Sequence, residues 1–152
     1  MNEIVAGVDA SEESRAALAW AVEEARLRSA TVIAVHAWEM PVVPTASGLI
    51  PPSAEVFTDV TGVKEAAENV VRSIVEQVAG SSGVDVRPLA VEGRPANALI
   101  DTAERQRAQL IVVGSRGHGA VVGLLLGSVS EQVVRHAPCP VVVHRGGSEE
   151  RD

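Results

Sequence analysis

The feature that most restricts the fold of this chain is a regular alternation of short aliphatic runs with longer amphipathic stretches. Runs of this kind, rich in valine and isoleucine, are typical of buried strands. Five are predicted, over residues 4–8, 31–35, 84–91, 110–113 and 141–143.

The stretches between these runs have the character of helices. Residues 11–28 are rich in Ala, Glu and Arg, and Pro95 suits the first turn of a helix. Residues 128–135 supply a short helix before Pro138. The remaining helix ends near Gly80, and its apolar residues recur at helical spacing: Val63, Ala67, Val70, Ile74 and Val78. Four helices therefore alternate with five strands.

This alternation predicts a single α/β domain with a doubly wound, mostly parallel sheet and helices on both faces. The third strand alternates apolar and polar residues and contains Pro88, which has no N–H, so it should lie at an edge. The strand order 3-2-1-4-5 satisfies these conditions. It places the change of winding direction between strands 1 and 4, where open sheets bind ligands. Asp9 and Gly114 would flank that crevice.

Composition excludes several other classes of protein. The chain has 152 residues and 46% hydrophobic residues, enough for one core without metals or disulfides. Its net charge of -7, its single lysine (Lys64) and its few aromatic residues disfavour nucleic-acid binding. Cys139 has no second cysteine to pair with, and no apolar stretch approaches the ~18 residues that span a bilayer. We expect a cytoplasmic protein with neither nucleic-acid nor membrane partners.

Two glycine clusters follow the fourth strand. Gly114-Ser115-Arg116-Gly117 is separated by nine residues from Gly127-Ser128. Glycines allow backbone N–H groups to converge on an anion. Ser128 and Glu131 match a capping box, and the N-terminus of the helix that would follow favours an anion. The pattern predicts a phosphate site.

Side chains in the same segment can strengthen such a site. Arg116 can add a charge-assisted contact, and the hydroxyls of Ser115, Ser128 and Ser130 can add hydrogen bonds. Taken singly, each glycine could only permit a tight loop, and Ser128 could be only a cap. The combination of strand, glycines and helix start favours the phosphate site.

Other glycine motifs fit less well. The Walker pattern needs Gly-Lys-Ser or Gly-Lys-Thr, but Lys64 lies in the middle of the chain. Gly117, Gly119 and Gly123 have a spacing similar to some dinucleotide sites, yet that fingerprint belongs to the first βα turn rather than to the fourth.

Two further positions are candidates for the opposite side of the crevice. Asp9 could accept a ribose hydroxyl or bind Mg²⁺ together with phosphate oxygens, or it could act only at the start of the helix near Ser11. His36 and Ala37 end the predicted second strand, where backbone groups could meet an adenine edge. His36 itself, like His136 and His144, suits a structural role. The spacing offers no nucleophile with a base and no metal-binding cluster, so binding is better supported than turnover.

Residues 40–56 contain four prolines and are too long for a plain connection. They could form a lid, a partner-binding loop or an ordinary surface loop. Val141 to Val143 would form an apolar sheet edge, which pairing with a second chain or a lid from residues 146–152 would cover.

The chain resembles the universal stress protein family over nearly its whole length. Gly114-x-x-Gly117, nine residues and Gly127-Ser128 resemble the G-2x-G-9x-G-(S/T) signature of the ATP-binding branch of that family, and Ser130 and residues 136–141 also fit. Residues 4–11 resemble its first strand and turn, although Ala10 replaces a frequent glycine.

The resemblance implies an adenine-nucleotide alpha-hydrolase-like, Rossmann-like fold over residues 1–145, followed by a tail over residues 146–152. It implies ATP, accompanied by Mg²⁺ or Mn²⁺, across the switch point, with Asp9 near the ribose and the metal and Ala37 at the adenine. Eight further residues would surround the ribose and phosphates: Val113, Gly114, Arg116, Gly117, Gly127, Ser128, Val129 and Ser130. It also implies a homodimer formed through the last strand.

Three functional hypotheses follow. The first is an ATP-binding stress-response switch with slow or no hydrolysis, acting on a downstream partner that the sequence does not identify. The second is a Mg²⁺-dependent ATPase or phosphoryl-transfer enzyme that uses Asp9 and Arg116. The third is an interaction module whose glycine loop binds no nucleotide.

Overall fold

A five-stranded parallel sheet with helices on both faces organises the computed structural model, which describes residues 2–40, 43–45, 48–50, 60–116 and 126–146. The strands of this sheet are β1 (Glu3–Gly7), β2 (Thr31–Trp38), β5 (Val86–Glu92), β6 (Leu110–Gly114) and β7 (Val141–His144). A separate antiparallel pair consists of β3 (Val43–Thr45) and β4 (Gly48–Ile50). The helices are α1 (Glu12–Arg28), α2 (Val60–Ala79), α3 (Pro95–Gln106) and α4 (Ser128–His136).

The strand order of the sheet is β5-β2-β1-β6-β7, and every neighbouring pair is parallel. Counted within this sheet, the order is 3-2-1-4-5, so the predicted fold class and topology are confirmed. The third strand of the sheet, β5, lies at one edge as its Pro88 suggested.

Two aliphatic cores cover the two faces of the sheet. Side chains alternate between faces along a strand, so Ile4 and Ala6 of β1 belong to one core while Val5 belongs to the other. Leu18 of α1 and Ile74 of α2 pack in the first core, and α3 and α4 cover the second. Both cores consist mainly of Ala, Val, Ile and Leu, in agreement with the 2% of aromatic residues in the sequence.

Three details differ from the sequence-based expectation. Strand β2 continues to Trp38, three residues beyond the aliphatic run over residues 31–35, so His36 and Ala37 lie inside it rather than at its end. Strand β5 begins at Val86, two residues later than predicted. Val43–Thr45 and Gly48–Ile50 form the short pair β3 and β4 in the segment that was expected to be a loop or a lid. The long β2 is explained by pairing, because Ala37 and Trp38 align with Val91 and Glu92 of β5.

The winding direction changes between β1 and β6. The chain leaves β1 through α1 to reach β2 on one side, and it leaves β6 through α4 to reach β7 on the other. The carboxyl ends of β1 and β6 are therefore the switch point at which open α/β sheets form a crevice.

Candidate functional site

Asp9 lies just beyond the end of β1, in a turn that leads into α1. Its Oδ1 accepts a hydrogen bond of 2.8 Å from the Ser11 N–H, and Ser11 is the N-cap whose hydroxyl accepts from the Ser14 N–H at 3.2 Å. The Ser14 hydroxyl donates to the Asp9 carbonyl at 2.8 Å. This network orients the half-buried Asp9 at the switch point. Asp9 thus acts at the start of α1, which is one of its two predicted roles. The other role, contact with a ligand, is compatible with this one because a carboxylate accepts several hydrogen bonds.

Ala37 presents its backbone toward the same crevice. The Val35 carbonyl accepts a hydrogen bond of 2.9 Å from the Val8 N–H. The backbone N–H and C=O groups of odd-numbered residues of β2 therefore point toward β1. Backbone groups alternate in direction along a strand, so those of Ala37 also point toward β1. The pairing of β1 with β2 ends at Gly7 and Val35, so Ala37 lies beyond the end of β1. Main-chain donors and acceptors of this kind are often used in small-molecule sites.

His36 has a structural role next to Ala37. Its Nδ1 lies 3.0 Å from the Val8 carbonyl oxygen. A carbonyl only accepts hydrogen bonds, so Nδ1 carries the proton in this contact. The imidazole therefore satisfies a backbone group that lies just beyond the β1 ladder.

On the other side of the crevice, Gly114 ends β6 and packs closely against α1. A Cβ atom at this position would lie 3.2 Å from the backbone carbonyl carbon of Glu13 and 3.3 Å from the Arg116 carbonyl oxygen. Close packing therefore favours glycine here, because a Cβ would force its neighbours to move by a few tenths of an ångström. Val113, which precedes it, is buried in the core on the α3 and α4 side.

Helix α4 begins differently from the predicted capping box. Gly127, with extended backbone angles, is the N-cap, and Ser128 is the exposed first residue of the helix. No side chain caps the helix, and Glu131 pairs with Arg135 instead. The prediction of Ser128 as the cap was wrong because a hydrogen bond of 2.7 Å from the Gly127 N–H to the Ser115 carbonyl holds Gly127 at the helix start.

The start of α4 nevertheless keeps the property that made it a candidate anion site. Its first intrahelical hydrogen bond runs from the Glu131 N–H to the Gly127 carbonyl at 3.0 Å. The N–H groups of Ser128, Val129 and Ser130 precede this bond and carry the positive end of the helix dipole.

Two of the three predicted hydroxyl ligands are engaged within the protein. The Ser115 hydroxyl donates to Glu13 at 3.1 Å. The Ser130 hydroxyl lies 3.2 Å from the Ser115 carbonyl and 3.0 Å from the Gly127 carbonyl, and its single proton is shared between them. Ser128 is the member of this group that faces solvent.

The structure thus brings five features to the carboxyl ends of the strands: Asp9, Ala37, Gly114, Arg116 and the start of α4. Gly117 falls outside the described residues. Glu13 was not identified from the sequence, since it contacts residues 102 and 103 positions away and carries no local motif.

Cys139 is an unsuitable nucleophile. Its half-buried side chain packs against the core on the α3 and α4 side, and burial raises the pKa of the thiol above its ordinary value. The thiol therefore stays protonated near neutral pH, and the thiolate is the reactive form.

The described ranges contain no group of three or more His, Cys, Asp or Glu side chains arranged to hold a metal ion. The predicted metal site does not depend on such a group, because it combines Asp9 with phosphate oxygens of ATP. Within the same ranges, no helix is both long and apolar enough to cross a membrane.

A doubly wound parallel α/β domain with a candidate anion site at its switch point is the class of protein that these features define. The chain belongs to the universal stress protein family, whose model matches residues 1–145. This membership confirms the resemblance to the family as a whole, while its ATP-binding branch stays a prediction.

Individual relatives support the assignment. The chain is 38% identical over 146 residues to a universal stress protein of Mycobacterium tuberculosis, and the match covers 93% of this chain and 45% of the relative. The chain therefore spans about half the length of the mycobacterial relatives that it matches.

Solved structures agree in fold. The universal stress protein UspA of Lactobacillus plantarum superposes with a TM-score of 0.77 at 26% identity, over 95% of this chain and 97% of that one. A universal stress protein in complex with cAMP superposes with a TM-score of 0.70 at 25% identity, over 97% and 98% of the two chains.

Proposed function

We propose that this domain binds ATP at the carboxyl ends of β1 and β6 and acts as a nucleotide-dependent stress-response switch in the cytoplasm, with slow or no hydrolysis. The observation that carries the proposal is the start of α4. Three N–H groups there precede the first helical hydrogen bond, beside the switch point of the sheet. Such an arrangement favours phosphate groups.

The remaining contacts are assigned by position. The backbone of Ala37 would recognise adenine, and Asp9 would lie near the ribose. The phosphates would lie against Ser128, Val129 and Ser130. The similar universal stress protein that was solved with cAMP supports an adenine nucleotide as the ligand class.

The proposal is tested by denaturing the purified protein, identifying any released nucleotide, and then titrating the refolded, nucleotide-free protein with ATP by calorimetry. We expect bound adenine nucleotide and saturable ATP binding. Turnover with Mg²⁺ should be at least about a thousandfold below the ~10 s⁻¹ typical of enzymes. Turnover near that typical rate would favour the ATPase or phosphoryl-transfer hypothesis. The absence of any nucleotide binding would favour the interaction module.

Asp9→Asn should separate folding from metal binding. The asparagine Oδ1 can accept the Ser11 N–H as the aspartate does at 2.8 Å, so the turn and the thermal stability should be retained. The carboxylate charge, which Mg²⁺ prefers, is lost. We expect Mg²⁺ to strengthen ATP binding about tenfold in the wild type and less than about twofold in the variant, measured by titration with Mg²⁺ and with EDTA.

The matched control for this substitution is Asp101→Asn, on the exposed surface of α3. It should leave the effect of Mg²⁺ unchanged. An Asp9→Asn protein that keeps the full effect of Mg²⁺ would remove Asp9 from the metal site.

We also propose a homodimer formed through β7. This strand is at the sheet edge, and the Pro140 and His144 carbonyls accept hydrogen bonds from β6 and its extension. The backbone groups of the alternate residues, Val141 and Val143, therefore point away from β6. Pairing of β7 with the same strand of a second copy would satisfy them.

Val143→Pro should yield a folded monomer. Proline removes an N–H that points away from β6 and leaves the hydrogen bonds to β6 in place. Analytical ultracentrifugation should show a dimer for the wild type and for the control Val143→Thr, and a monomer for the proline variant, with unchanged circular dichroism. A wild-type monomer, or a proline variant that stays dimeric, would contradict pairing through β7.

A further inference from the structure

The side chain of Glu13 connects the first turn of α1 to the residues that follow β6. Its Oε2 atom accepts a hydrogen bond of 2.7 Å from the Arg116 backbone N–H and one of 3.1 Å from the Ser115 hydroxyl. Hydrogen bonds to an ionised acceptor are roughly twice as strong as neutral ones. One carboxylate oxygen therefore orders two consecutive residues at the edge of the candidate phosphate site.

The surroundings of Glu13 hold it in this position. A Cβ on Gly114 would lie 3.3 Å from the Glu13 Cβ, and a Cβ on Gly146 would lie 3.3 Å from the Glu13 Cγ. The absence of side chains at both glycines lets the chain approach Glu13 closely from β6 and from the end of β7. This packing limits the rotation of the glutamate side chain.

The next residue of α1 orders the opposite side of the crevice. The Ser14 hydroxyl donates to the Asp9 carbonyl at 2.8 Å and accepts from the Asp9 N–H at 3.0 Å. Consecutive residues of one helical turn thus set the relative positions of Asp9 and Arg116, which follow different strands.

We propose that Glu13 is a positioning residue for the nucleotide phosphates. It orients the backbone of Ser115 and Arg116 and does not itself contact the nucleotide. The inference rests on the proposed function. It also assigns the Ser115 hydroxyl to this contact rather than to a phosphate.

Because Glu13 is an acidic residue, the proposal can be tested by whether its substitution strengthens or weakens ATP binding. A carboxylate near bound phosphates repels them, so its removal by itself would strengthen ATP binding. Loss of the two hydrogen bonds would disorder the edge of the site and weaken ATP binding. Glu13→Gln removes the charge but keeps an oxygen that can accept both hydrogen bonds, whereas Glu13→Ala removes the charge and both hydrogen bonds.

The experiment titrates the wild type, Glu13→Gln and Glu13→Ala with ATP, AMP and adenosine by calorimetry. We expect Glu13→Ala to weaken ATP and AMP binding about tenfold and to leave adenosine binding within about twofold of the wild type. Glu13→Gln should bind ATP at least as tightly as the wild type. If Glu13→Ala does not fold, Glu13→Asp, whose shorter side chain moves the carboxylate away from Arg116, should weaken ATP and AMP selectively.

A second measurement reports on the contact itself. Amide hydrogen exchange over residues 114–116 should be faster in Glu13→Ala than in the wild type, and exchange in Glu13→Gln should lie closer to the wild type than to Glu13→Ala.

Unchanged or tighter ATP binding by Glu13→Ala would overturn the inference, as would an equal loss for adenosine, which would indicate a general structural role. If the wild type binds none of the three ligands, the proposed function fails as well. If the wild type binds ATP and Glu13→Ala binds it equally well, only the role of Glu13 is wrong.

Discussion

Gly127→Asp is expected to abolish ATP binding while leaving the fold intact. Gly127 is the N-cap of α4 with φ −75° and ψ 166°, extended angles that any residue adopts. Aspartate is among the best N-cap residues, and its carboxylate would accept hydrogen bonds from the N–H of Val129 or Ser130. It would thereby occupy the groups proposed to bind phosphate and add a repulsive charge. We expect a loss of ATP affinity of at least about 100-fold, or ~2.7 kcal/mol.

Stability should change in the opposite direction. An aspartate cap is slightly better than a glycine cap, by a few tenths of a kcal/mol, so urea denaturation should show equal or greater stability. The control Gly127→Ala lacks a capping group and should lose up to about 1 kcal/mol of stability while losing no more than about tenfold in ATP affinity. A folded Gly127→Asp protein that binds ATP within about threefold of the wild type would remove the start of α4 from the phosphate site.

The fold could be predicted because its determinants are local in the sequence. Valine-rich runs, the proline at the start of α3 and the cap at Ser11 each act within a few residues. The strand order then followed from the edge character of the Pro88 strand and from the handedness of crossover connections. Strand β2 was predicted too short because His36, Ala37 and Trp38 are not an aliphatic run, and pairing with β5 extends the strand.

The candidate site was predicted less completely, because tertiary contacts decide its details. Serine is a better N-cap than glycine by local preference, but the hydrogen bond from Gly127 to Ser115 places the helix start one residue earlier. Glu13 carries no signal in a single sequence, because its contacts with Ser115 and Arg116 exist only after β6 has paired with β1. Residues ordered by distant partners are therefore the ones that local motifs miss.

The second large effect is expected in the core, where one helix offers a matched pair of leucines. Leu18 and Leu27 both lie in α1, but Leu18 is 0% exposed and Leu27 is 82% exposed. Leu18→Ala removes three carbon atoms from the core formed by β1, α1 and α2, and it should cost about 2–5 kcal/mol through lost burial and the cavity that remains. That is a large fraction of the 5–15 kcal/mol typical of a domain.

Leu27→Ala makes the same chemical change in the last turn of the same helix, and since leucine and alanine differ little in helix propensity, the comparison reports mainly on burial. It should change the free energy of unfolding by no more than about 0.5 kcal/mol. Urea denaturation should show a lower midpoint for Leu18→Ala, with the slope of the transition unchanged because both proteins expose a similar surface on unfolding. Equal midpoints for the two variants would mean that the face of α1 bearing Leu18 does not pack on the sheet. The positions of Glu13 and Ser14 at the start of that helix would then also be wrong, and with them the common support that α1 gives to Asp9 and Arg116.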